Sequence, residues 1–382
     1  MFNHLLKLVT GSNKYANQKI RISTDLQTSN EKLAETLKFI GINKLILTSM
    51  GNSIATGYSI SDIIKPLIFR NETLEETMNN QSIDIQTYNF SRAQDNNDDR
   101  VLQWLITNIK QSEINKQNHV DFGHSKISME RSGITDSDVA KFFPTSIKDD
   151  KGLEDIILEK QSDLANIVVY NGCTGSFLDN LTRKGKHINL YGFKKDLVSM
   201  ESVLKTIYLK NKITQVYVCG IPNLLNINIV WLINKEIRKI CDKYPNATYV
   251  QPAVGHMLYD KNNKLVIDIH HNQNEYLSLN NNIIKFITDN YISNMFYIEL
   301  DQALANLSNT AQYDKHESLN DIDLVINYLY PIIKKYYDIF ELMNKPMKPI
   351  IEKFIKYYYE KYPHDYFYIP KEKTIEIIKT TR

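Results

Sequence analysis

The sequence predicts an α/β protein: three layers, α/β/α, around a five-stranded parallel sheet, followed by a helical C-terminal extension. Three observations predict it. Five short apolar runs each end in a turn or polar loop, segments of helical period lie between them, and the pattern changes beyond about residue 290. The runs are Leu45-Ile46-Leu47-Thr48, Ile83 to Tyr88, Asn166 to Tyr170, Val216 to Cys219 and Ala247 to Val250. Helical spacing is read over Val101 to Ile109, Leu153 to Leu164, Leu197 to Leu209 and Ile227 to Cys241. In the last of these, Val230, Ile233, Ile237 and Ile240 recur on one face. Strand and helix in alternation imply right-handed crossovers and a sheet covered on both faces, with chemistry gathered at the carboxyl ends of its strands.

Two regions stand outside the alternation. Residues 1–43 form an N-terminal extension that ends in an amphipathic helix, Asn30 to Ile40. Residues 291–382 read as helices rich in Ile, Tyr and Lys, namely Asp321 to Met343 and Pro349 to Tyr362, with Pro346 and Pro349 at the break. That tail has three open readings: a cap on the core, a cover for the active-site mouth, or a contact in a homo-oligomer. The main domain is then 44–290, with the polar, weakly periodic stretch 112–151 as an insertion near the active face.

Composition narrows the function. Lys and Arg number 46 against 44 Asp and Glu, a net charge of +2, which provides no basic stripe for nucleic acid. Hydrophobic residues make up 42% and aromatics 10%, ordinary for a globular chain. Cys173, Cys219 and Cys241 are widely spaced and odd in number, so neither a disulfide framework nor a cysteine zinc site is read from them. No secretory leader and no bilayer span is read, which makes a cytoplasmic protein the expectation.

The first strand leads into Met50-Gly51-Asn52-Ser53-Ile54-Ala55-Thr56-Gly57. A serine at a tight strand-to-helix turn holds its hydroxyl above the sheet and its N–H at a helix start, where negative charge is favoured. Gly-Asn-Ser also suits an ordinary helix cap. Far along the chain, Asp268-Ile269-His270-His271 stands just before an amphipathic helix. An aspartate three residues before a histidine can hold Nδ1–H and leave Nε2 free to accept a proton. Alone, the pair would read as a cap and surface histidines.

Together the two blocks resemble those of the SGNH hydrolases, the GDSL-type esterases and lipases, over roughly residues 44–290. Asn52 stands where that family has aspartate. The resemblance implies a flavodoxin-like sheet, Ser53 as nucleophile, His271 as general base and Asp268 as the residue orienting it. In Asn89-Phe90-Ser91-Arg92-Ala93-Gln94, Gln94 falls where the family's oxyanion-binding glycine stands, and its N–H can serve. In Asn171-Gly172-Cys173-Thr174, strict register puts Thr174 at the family's third oxyanion donor, with Asn171 as the out-of-register alternative. Cys219-Gly220-Ile221-Pro222-Asn223 either shapes the substrate pocket or simply begins the next helix.

His119-Val120-Asp121-Phe122-Gly123-His124 lacks a further ligand fixed by spacing, and the hydrolase reading requires neither metal nor cofactor. His256 reads as lining the cleft, and the Tyr-rich tail as packing. The expected function is hydrolysis of a small, glycan or lipid carboxylic ester through an acyl-enzyme. The alternatives are acyl transfer to a sugar or alcohol and a catalytically silent binding scaffold. Retention of Ser53, Asp268 and His271 opposes the scaffold, and the altered middle blocks favour it.

Overall fold

The computed structural model describes residues 26–52, 54–55, 72–92, 98–124, 135–172, 190–221, 228–251, 258–259, 265–266, 273–313, 322–342 and 349. Five strands, β1 (Lys44–Gly51), β2 (Asp84–Ser91), β3 (Leu164–Asn171), β4 (Gln215–Cys219) and β5 (Ala247–Val250), pair in the order β2-β1-β3-β4-β5, all parallel. Each predicted run is a strand of this sheet. All eight residues of β3 are buried, as a central strand covered on both faces requires.

Helices α1 (Leu26–Phe39), α2 (Glu72–Asn80), α3 (Asp98–Ile106), α4 (Gln111–His124), α5 (Asp136–Phe142), α6 (Leu153–Leu158), α7 (Leu190–Lys210) and α8 (Asn228–Cys241) accompany the strands. One core joins Ile46, Met50, Phe90, Val168, Tyr170, Val216 and Val218 of the sheet to apolar residues of α3, α4, α6, α7 and α8. These helices carry the crossovers from β2 onward. The crossover through α2, from β1 to β2, runs the opposite way along the sheet, so right-handedness puts it on the other face.

The sequence extends the third predicted helix to Leu164, whereas α6 stops at Leu158 and Leu164 opens β3. The last carbonyls of α6 explain the stop. Ile156 O accepts from Asn166 Nδ2 at 2.7 Å, and Ile157 O accepts from Asn211 Nδ2 at 2.7 Å and Thr214 Oγ1 at 2.9 Å. Within 112–151, α4 and α5 are well-formed helices. Helix α5 begins with a capping box, in which Thr135 Oγ1 accepts from Asp138 N at 3.2 Å and Asp138 accepts from Thr135 N at 2.8 Å. Helix α4 buries Asn115, Asn118 and Asp121 beside Ile114. A polar buried stripe leaves no hydropathy period to read.

After β5 comes a two-stranded antiparallel ribbon, β6 (Leu258–Tyr259) and β7 (Leu265–Val266), which the sequence did not suggest. Then follow α9 (Gln273–Tyr313) and α10 (Ile322–Leu342). The chain divides into compact units 1–289 and 290–382. In the second, the Phe296 ring lies tilted against Tyr336 at 5.1 Å and meets Phe340 edge-on, while Tyr336 Oη donates to Glu299 at 2.7 Å. Residues 350–362, part of the predicted last helix, lie outside the described residues. Among the described residues no helix is long and apolar enough to cross a membrane.

Candidate active site

In a sheet of this order the chain leaves β1 toward β2 on one side and later returns to β3 on the other. The crevice between the carboxyl ends of β1 and β3 is the topological switch point, where open α/β sheets bind ligands. Here Gly51 ends β1 in register with Ser91, which ends β2, and with Asn171, which ends β3. The three segments that carry the first, second and third predicted blocks therefore emerge level with one another. The strands run further than the apolar runs of the sequence, through Ser49–Gly51, Asn89–Ser91 and Asn171, where polar residues and a glycine interrupt the apolar pattern.

Gly51 has φ +140°, open to glycine and strained for other residues. A Cβ there would lie 2.1 Å from Asn171 O and 2.6 Å from Asn171 C, so the β1 backbone approaches β3 more closely than any side chain permits. Beyond it, Asn52 N donates to Asn171 O at 3.2 Å. The Asn52 side chain is buried. Its Nδ2 donates to Gly172 O at 2.9 Å and its Oδ1 accepts from Ile54 N at 3.2 Å. These bonds grip the chain on both sides of residue 53. Below them the Ser49 hydroxyl meets Ser91 Oγ at 3.4 Å and Ala55 O at 3.5 Å.

The end of β2 is tethered outward. Arg92 N donates to Gly51 O at 3.1 Å, and Asn118 Nδ2 of α4 donates to Ser91 O at 2.9 Å. The Arg92 guanidinium engages the Asp121 carboxylate with two bonds, Nε to Oδ2 at 2.6 Å and Nη2 to Oδ1 at 3.0 Å. His119 faces elsewhere, with Nε2 2.7 Å from Phe143 O. Among the described residues no three His, Cys, Asp or Glu side chains stand ready for a metal ion.

Helix α9 approaches the same edge. Tyr217 Oη, within β4, donates to Ile287 O at 3.4 Å, whereas Asn282 Nδ2 donates at 2.7 Å to Gln251 O, just past the end of β5. From Ile287 back to Asn282 the helix thus climbs toward the carboxyl ends. The nine further residues to Gln273 add about 13 Å of rise beyond that.

Of the candidate triad and oxyanion residues, Asn171 is seen: it ends β3, buried, its backbone against Gly51 and Asn52. Ser53, Gln94, Thr174, Asp268 and His271 lie outside the described residues, as do Cys173 and His256. The Arg92–Asp121 pair and the Asn52 carboxamide were not foreseen. An Arg and an Asp 29 positions apart leave no local pattern, and Asn52 reads in sequence only as a substitution.

After β4 the chain turns at Gly220, whose N–H donates to Val250 O at 3.0 Å. Asn234 of α8 then clamps Ile221, its Oδ1 accepting from Ile221 N and its Nδ2 donating to Ile221 O, both at 2.8 Å. Cys219 is buried, and burial alone pushes its thiol up to about 12. A thiol whose pKa is raised stays protonated below that value and is no nucleophile near neutrality. Iodoacetamide at pH ~8 is therefore expected to leave Cys219 and the buried Cys241 unmodified until the chain unfolds, read by peptide mass mapping with and without denaturant. Prompt native alkylation of Cys219 would contradict its burial.

No family model matches the chain, and no curated protein matches it. Among solved structures it is similar to a protein provisionally assigned as a platelet activating factor from Streptococcus pneumonia, at 9% identity and TM-score 0.29 over 70% of this chain and 94% of that one. It is also similar to an acetyl xylan esterase from the rumen bacterium Butyrivibrio proteoclasticus, at 12% identity and TM-score 0.36 over 65% of this chain. The chain spans 63% of that esterase's length. At these identities and scores neither likeness carries an argument about chemistry.

Proposed function

We propose that residues 44–290 form a serine esterase domain in which Ser53 is the nucleophile, His271 the general base and Asp268 the residue orienting the imidazole. One observation supports this above others. The turn that precedes Ser53 stands at the switch point, with Gly51 pressed on the end of β3 and Asn52 bonded across it. His271 comes two residues before α9, whose run toward the same edge favours a meeting with Ser53.

In this reading the Ser53 hydroxyl adds to the ester carbonyl carbon as its proton passes to His271 Nε2, while the Asp268 carboxylate accepts from Nδ1–H and stabilises the imidazolium. The N–H groups of Ser53 and Gln94, with Thr174 or Asn171, receive the negative oxygen. Collapse expels the alcohol, which takes the proton from His271. Water then adds to the acyl carbonyl carbon as one of its protons passes to His271 Nε2, and collapse expels the Ser53 oxygen, which takes that proton back from His271 as the carboxylic acid is released.

The test is labelling by a fluorophosphonate probe together with hydrolysis of short p-nitrophenyl esters. Wild-type protein is expected to be labelled and Ser53→Ala to be silent, with Asp268→Asn lowering kcat by roughly 10⁴-fold through the wrong imidazole tautomer. Product that accumulates only with an added alcohol or sugar would assign acyl transfer instead. A wild-type chain that neither labels nor turns over would leave a binding scaffold.

A further inference from the structure

We propose that Asn52 is a positioning residue for the nucleophile, and that the reaction requires an amide at this place because its N–H must bond the turn after β3. The proposal rests on the serine-esterase reading and deepens it. Asn52 is 2% exposed, and its side chain makes two bonds of opposite polarity. Its Oδ1 accepts the N–H of Ile54, two residues on, the bond that an Asx side chain makes to the backbone after it. Its Nδ2 donates to the carbonyl of Gly172, the residue after β3. Gly51 and the Asn52 N–H already bind the same stretch through Asn171. The turn before the nucleophile and the turn before Thr174 are thus one locked unit, with the Asn52 carboxamide as the bolt.

An ionised carboxylate offers acceptors only. With aspartate at this position, Ile54 N–H would keep its partner but Gly172 O would face a second oxygen, losing a donor and gaining repulsion inside a buried site. A protonated carboxyl restores both bonds, its O–H donating to Gly172 O and its carbonyl oxygen accepting from Ile54 N. Burial raises a carboxyl pKa and so widens the range in which that form exists. The aspartate found here in the resembling family would therefore work in this chain only while neutral.

The experiment compares kcat, KM and fluorophosphonate labelling of wild type, Asn52→Asp and Asn52→Ser across pH. Thermal melting at each pH checks that every protein is folded. The quantity compared is the ratio of variant to wild-type kcat at each pH. For Asn52→Asp the ratio is expected to be down about 100-fold at pH ~8, with KM little changed, and to recover at least about tenfold by pH ~5.5. Asn52→Ser keeps an oxygen for Ile54 N but is too short for Gly172, so its ratio is expected to fall about tenfold and stay flat with pH. A folded Asn52→Asp with wild-type kcat, or with a deficit independent of pH, overturns the proposal. So does loss of the folded state in both variants, which would make Asn52 structural. A wild-type protein that takes no label overturns the serine-esterase reading itself and the positioning role with it.

Discussion

Gly51→Ala is expected to lower labelling of Ser53 by at least about 100-fold and to destabilise the protein by roughly 2–6 kcal/mol. Two costs add. The residue has φ +140°, where an L side chain is strained, and its Cβ would sit 2.1 Å from Asn171 O and 3.2 Å from Asn171 Cα. The obstacle is backbone of a central strand, so it cannot swing aside as a side chain would. Asn171 is held by the Asn52 N–H and by pairing with β1, and moving it would pull apart the two strand ends that flank the crevice. Gly41 provides the internal control. It has φ +80° with nothing within 4 Å of its Cβ position, so Gly41→Ala is expected to cost only about 1 kcal/mol and to leave labelling unchanged. Denaturant melts and labelling rates on both variants decide the matter. A Gly51→Ala protein that labels within threefold of wild type would sink the claim that this close approach shapes the nucleophile turn.

The contrast between what could and could not be read from the sequence follows the same chemistry. Leu45 to Leu47, Val168 to Tyr170 and Val216 to Val218 are legible because a strand covered on both faces has to be apolar at successive positions. The reading fails where the strands reach the functional edge. Ser49, Asn89, Ser91 and Asn171 are buried strand residues that look like loop, since their side chains are polar. Helix α4 was hidden for a related reason: its buried side carries Asn115, Asn118 and Asp121, which bond to Pro144, Ser91 and Arg92. The ribbon of β6 and β7 has two residues on each side, too few to make a period. In the candidate site, Gly51 was legible as a turn glycine, but its contact with Asn171 joins positions 120 apart and exists only once the sheet is assembled.

Asp121→Ala is expected to cost roughly 2–3 kcal/mol, less than a fully buried ion pair broken from one side, because Arg92 keeps some access to water. The Asp121 side chain is 5% exposed and that of Arg92 21%, and the two meet through two short bonds, so removing the carboxylate takes two charge-assisted bonds from a partly buried guanidinium. The pair joins α4 to the first residue beyond β2, whose N–H holds Gly51 O and which stands two positions before Gln94. Replacing both partners separates stability from positioning. Arg92→Met with Asp121→Val puts apolar groups of closer volume in the same space, and such exchanges are often neutral or stabilising. The double variant is therefore expected to regain most of the lost stability in urea melts, with an unchanged denaturant slope. Its kcat should remain low, because packing restores the contact area but not the two fixed directions that a guanidinium–carboxylate pair imposes on the chain after β2. If kcat returns together with stability, the ion pair serves only to hold α4 on the sheet, and the start of the second loop needs no directional restraint.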